Sequence, residues 1–89
     1  MKIRDMEKGA NRRAFFCPGC GCAHWFIAPG SWEWNGDYEK PTITPSILAW
    51  GDSFRCHSFV TDGKIRFLDD CSHELKGQTI ELPDFSGSE

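Results

Sequence analysis

From Arg12 onward the chain is a succession of short apolar runs cut by Gly, Pro, Asp and Asn, whereas residues 1–11 show no clean periodicity. Runs of this length between turn formers predict a small β-rich domain. Ala14-Phe15-Phe16 leads into Cys17, and His24-Trp25-Phe26-Ile27-Ala28 leads away from it, which predicts a hairpin with cysteines at its tip. Pro29-Gly30 ends its second strand. Trp32-Glu33-Trp34 alternates apolar and polar side chains, so both indoles are expected on one side, ahead of an Asn35-Gly36 turn. Pro41-Thr42-Ile43-Thr44-Pro45-Ser46 reads as an irregular or edge segment, because each proline removes a backbone donor.

The clearest element is Phe54 to Val60, a turn at Asp62-Gly63, and Ile65 to Leu68, an antiparallel hairpin. Its register sets Val60 against Ile65, Ser58 against Phe67 and Cys56 against Asp69. Cys56 and His57 then point to opposite faces, since side chains alternate along a strand. Asp69 to Lys76 allows no more than one helical turn, and Gln78 to Pro83 reads as a last strand. The expected division is a basic, flexible arm over 1–11, one β domain over 12–84 and a flexible tail over 85–89.

At 89 residues the chain buries too small a fraction of its surface for a self-sufficient core, and five Cys with three His supply the usual remedy, a metal. The chain has neither an apolar run long enough to span a bilayer nor a secretory leader at its start, so a cytoplasmic protein without membrane contact is expected. There thiols stay reduced, and an odd number of cysteines fits ligation better than pairing. Formal charge is −3, and from Ala14 onward five basic residues face eleven acidic ones, which argues against a nucleic-acid surface.

Cys17-Pro18-Gly19-Cys20-Gly21 has the form of a zinc knuckle, in which two thiolates two residues apart converge on one ion. Cys56-His57 and Cys71-Ser72-His73 can complete the shell. The ligand set expected for one structural zinc is Cys17, Cys20, Cys56 and His73, with His57 and Cys71 in reserve. Cys22 reads as a small packed thiol and His24 as a packing or hydrogen-bonding residue. Asp69 or Asp70 would accept the other ring N–H of a histidine.

Phe16-Cys17-Pro18-Gly19-Cys20-Gly21, His24, Trp32-Glu33-Trp34-Asn35-Gly36, Pro41-Thr42-Ile43-Thr44-Pro45-Ser46, Cys56-His57-Ser58-Phe59-Val60, Asp62-Gly63 and His73-Glu74-Leu75-Lys76-Gly77-Gln78-Thr79 together resemble a family of small proteins of tailed phages and prophages. Its members are often labelled ammonia monooxygenase, a label that does not suit a chain with no membrane span. The resemblance implies a phage context and a Cys/His metal site, and makes His24 and His57 functional candidates beyond zinc.

The fold expected is therefore a small, zinc-ribbon-like β domain with little helix. Its expected role is a noncatalytic accessory protein that binds a host or phage protein, possibly against a host defence system, through an aromatic surface that includes Trp32 and Trp34. A homo-oligomer is compatible with the sequence. The competing readings are a zinc-dependent hydrolase or nucleotide-handling enzyme, in which His24, His57 or Asp70 moves a proton, and a nucleic-acid-binding ribbon.

Overall fold

The computed structural model describes residues 1–6 and 11–85. The elements are β1 (Arg4–Asp5), β2 (Arg12–Cys17), β3 (Cys22–Ile27), β4 (Glu33–Trp34), β5 (Ile43–Trp50), β6 (Arg55–Thr61), β7 (Lys64–Phe67) and β8 (Thr79–Glu81). They form two antiparallel sheets, β1-β2-β3 and β4-β5-β6-β7-β8. Among the described residues there is no helix, and none long and apolar enough to cross a membrane. The small all-β class read from the apolar runs is the class observed.

Alternation decides what each strand contributes. On β6, Cys56, Ser58 and Val60 turn inward while His57 and Phe59 stay partly exposed; on β7, Ile65 and Phe67 turn inward. The expected register holds, with Val60 opposite Ile65 and Ser58 opposite Phe67. Asp62 and Gly63 form the turn with positive φ at both positions, 52° and 79°, the type I′ signature that matches strand twist. Phe15, Phe26, Ile43, Ile47 and Val60 from both sheets meet in one core, joined by Ile3 and Leu82 near the two ends of the chain.

The first part of the segment expected as a flexible arm contributes to the fold: Ile3 is buried, Arg4–Asp5 pairs with Arg13 and Ala14, and Lys2 bonds Glu81. Residues 7–10 of that arm and 86–89 of the expected tail lie outside the described residues. The segment expected to be irregular or an edge runs into β5, the longest of the described strands, and its pairing with β6 is irregular between Ile43 and Ile47. Pro45 is accommodated because the register with β6 shifts between Ile43 and Ile47, leaving no ladder bond for its nitrogen to make.

Candidate active site and metal centre

That register shift also aims Ser46. A bulge bends a strand and redirects one side chain, and here the Ser46 Oγ lies 2.9 Å from His57 Nε2. Leu48, two residues further along β5, sits opposite His57, so Ser46, Leu48 and His57 share the outer face of the sheet. The other nitrogen of the ring, His57 Nδ1, lies 3.2 Å from Asp70 Oδ2. An ionised carboxylate can only accept, so Nδ1 carries the proton and donates to Asp70. Nε2 is then bare and accepts from the Ser46 hydroxyl. A hydroxyl, an imidazole and a carboxylate in series are the parts of a nucleophilic relay.

The turn after β7 is fastened so that Asp70 reaches this position. The Cys71 Sγ sits 3.2 Å from both the N–H and the carbonyl oxygen of His57. The Ser72 Oγ accepts from the Arg55 N–H and donates to the Arg55 carbonyl, and the Ser72 N–H also donates to that carbonyl. Arg55 Nε donates to the same Asp70 oxygen at 2.9 Å. The Arg55 hydrogen bond, followed by that of His57, holds the Asp70 carboxyl below its ordinary range, so it is ionised at neutral pH. On the other side, Trp32 Nε1 donates to the Ser46 carbonyl at 3.2 Å.

The inner face of β6 carries different chemistry one residue away. Cys17, Cys20, His24 and Cys56 each offer an atom within 4.8 Å of the others, and these residues can hold a metal ion. The Cys17 and Cys56 sulfurs are 3.7 Å apart; two thiolates each about 2.3 Å from a tetrahedral zinc would stand roughly 3.8 Å apart. The thiols compete for charge. The Cys17 thiol is pulled down to about 4, first by the hydrogen bond from Cys56 and against its burial. Cys56 is pushed up, first by giving that hydrogen bond and then by burial, and burial followed by the Cys17 charge pushes Cys20 up to about 11. A divalent cation removes the repulsion that keeps the second and third thiols protonated.

His24 is 93% buried, with a relative exposure of 7%, and its Nε2 has no hydrogen-bond partner. A buried imidazole within reach of three thiols suits the fourth position of a tetrahedral set. His73 also approaches Cys56, with Nε2 at 3.4 Å, and belongs to an overlapping group with Cys56 and Cys71. Its Nδ1, however, accepts the Leu75 N–H, which places the ring proton on Nε2, where it donates to the sulfur. The ring fills the space that a Cβ on Gly19 would need, so that glycine lets His73 close over the knuckle.

The sequence-derived candidates thus divide between two centres. Cys17, Cys20 and Cys56 converge, His24 joins them and His73 packs beside them. His57 and Asp70 lie on the outer face. Asp69 lies beside Gly77 instead of a histidine. Trp32 touches the Ser46 backbone, and Trp34 packs edge-on between Phe26 and Tyr38. Ser46 is the functional candidate that the sequence left unnoticed. Its spacing from His57 and Asp70 forms no local motif, and only the Pro45-Ser46 interruption of an apolar strand marks the place.

A family model described as "BubE: Bacterial ubiquitination-like system serine protease" matches residues 2–68. That span contains Ser46, His57 and all four clustered metal-site residues, and ends two residues before Asp70. No curated protein and no solved structure matches the chain.

Proposed function

The chain belongs to the BubE family, and we propose that it is a serine protease whose nucleophile is Ser46, with His57 as general base and Asp70 as the carboxylate that orients it. The observation that carries this is the series Ser46 Oγ to His57 Nε2 at 2.9 Å and His57 Nδ1 to Asp70 Oδ2 at 3.2 Å. In the reaction, Ser46 Oγ attacks a peptide carbonyl while Nε2 takes its proton. The imidazolium then gives that proton to the departing amine, leaving an acyl-enzyme ester that water hydrolyses by the same route in reverse. Asp70 stabilises the imidazolium and keeps the proton of Nδ1 in place.

Membership of a family described as the serine protease of a bacterial ubiquitination-like system supports a proposed protein partner that is the substrate, a protein of such a system. A role in defence, a phage or prophage setting and a cytoplasmic location accord with this reading.

Cys17, Cys20, Cys56 and His24 would hold a single structural zinc. With four protein ligands, its contribution would be to fix Cys56 and thereby the neighbouring His57. This argues against the zinc-hydrolase alternative.

The test compares hydrolysis of a nitrophenyl ester by the zinc-loaded protein and its variants. Ser46→Ala and His57→Ala are expected to remove activity above background while keeping one zinc per chain. Full activity in Ser46→Ala would overturn the assignment.

A further inference from the structure

We infer that the substrate lies as an extended strand along the open edge of β5, with apolar side chains seated in the aromatic groove beyond Ser46. This rests on Ser46 being the nucleophile and adds where the peptide runs and what it must carry.

Three observations converge. First, β4 pairs only with Ile43 and Thr44, so among the described residues the outer edge of β5 from Ser46 to Trp50 has no strand beside it. β3 is likewise the edge of its own sheet, pairing only with β2. Unpaired strand edges are ready templates for an added strand, whose backbone completes the ladder. Second, the space between these edges is a groove of about 400 Å³, lined by β3 residues, by β5 from Ile47 to Trp50, and by Trp32 and Phe54. No Asp, Glu, Lys or Arg lines it. Third, large apolar side chains cluster here in exposed positions: Trp50 is 70% exposed, Trp25 50% and Leu48 41%.

The nucleophile adjoins this groove in the chain, since Ser46 directly precedes Ile47, the first β5 residue lining it. Ser46 is on β5 itself and shares a face with Leu48 and Trp50, and Trp32, a groove residue, bonds its carbonyl. At roughly 3.3 Å per residue, the stretch from Ser46 to Trp50 spans about 13 Å. That length accommodates about four substrate residues on one side of the bond to be cut. Alternate residues would turn toward the indoles, where an apolar side chain gains contact area and a charged one gives up hydration.

The experiment uses the full-length, zinc-loaded chain. A fluorophosphonate probe first measures the reactivity of Ser46 alone. Acetylated octapeptides carrying Leu, Phe or Asp at each of four positions on either side of a common bond then measure kcat/KM. Leu or Phe on one side is expected to exceed Asp by tenfold or more, at alternate positions. N-methylation of backbone amides on that side is expected to abolish cleavage. Trp50→Ala is expected to cut the preference for Leu and Phe over Asp about tenfold, and an unchanged preference would overturn the groove assignment.

Labelled Ser46 together with no peptide cleavage, no apolar preference or tolerance of N-methylation would overturn the strand-addition inference while leaving the nucleophile standing. Failure of Ser46 to label would overturn both.

Discussion

Replacing Asp70 by Asn should cost far less than the loss of a triad carboxylate usually does, because of Arg55. Arg55 Nε and His57 Nδ1 both donate to Asp70 Oδ2, at 2.9 and 3.2 Å. A guanidinium has no acceptor, so an amide in that place must turn its oxygen toward Arg55, and the same oxygen stays within reach of His57. The tautomer survives, and what is lost is the charge that stabilises the imidazolium. Unit charges 4 Å apart interact by about 1 kcal/mol in water and about 4 kcal/mol at an effective dielectric of 20. Asp70 is 41% exposed and shares its charge with Arg55, so the low end applies. The expected loss is therefore modest, roughly 5–30-fold in kcat/KM.

In Arg55→Ala/Asp70→Asn the amide is free to rotate. It can offer N–H to His57 Nδ1, moving the ring proton to Nε2 and taking the acceptor away from Ser46. That wrong tautomer costs on the order of 10⁴-fold in kcat. Steady-state ester hydrolysis of the two single variants and the double variant should therefore be strongly non-additive. Asp70→Asn alone falling as far as the double variant would refute the reasoning, as would a double variant no worse than the sum of its parts.

Other outcomes follow from the same contacts. Cys20→Ser and His24→Ala should each lose zinc on elemental analysis and melt earlier than wild type, whereas Cys22→Ser, at an exposed position, should keep both metal and melting temperature. Phe15→Ala removes a fully buried ring packed on His24 and Phe26 and should cost about 3–5 kcal/mol in urea unfolding. Asp70, held below its ordinary value first by the Arg55 hydrogen bond and then by that of His57, contributes stability that is complete above the unfolded carboxylate's pKa of about 3.9. It is lost as pH falls through the lower folded value, so the stability difference between wild type and Asp70→Asn should shrink below pH 4.

Local chemistry explains what could be read from the sequence. The knuckle from Cys17 to Gly21 and the Asp62-Gly63 hairpin are short-range devices, so their form and the opposite facing of Cys56 and His57 were legible before any fold was known. The relay was not, because Ser46, His57 and Asp70 come from a bulge, a strand and a turn, and no spacing rule links them. The prolines that made residues 41–46 look irregular are the same feature that turns Ser46 toward His57. His24 was read as a packing residue because it begins an aromatic strand. Only the pairing of β2 with β3 puts Phe15 opposite it and brings its unpartnered nitrogen beside the thiols.

The most direct test of the central claim is reaction of the zinc-loaded protein with a fluorophosphonate, with the adduct located by peptide mass spectrometry. The account predicts one stoichiometric adduct on Ser46, absent in His57→Ala although that variant keeps its zinc. An unreacted wild-type protein, or an adduct on another residue that persists without His57, would contradict it.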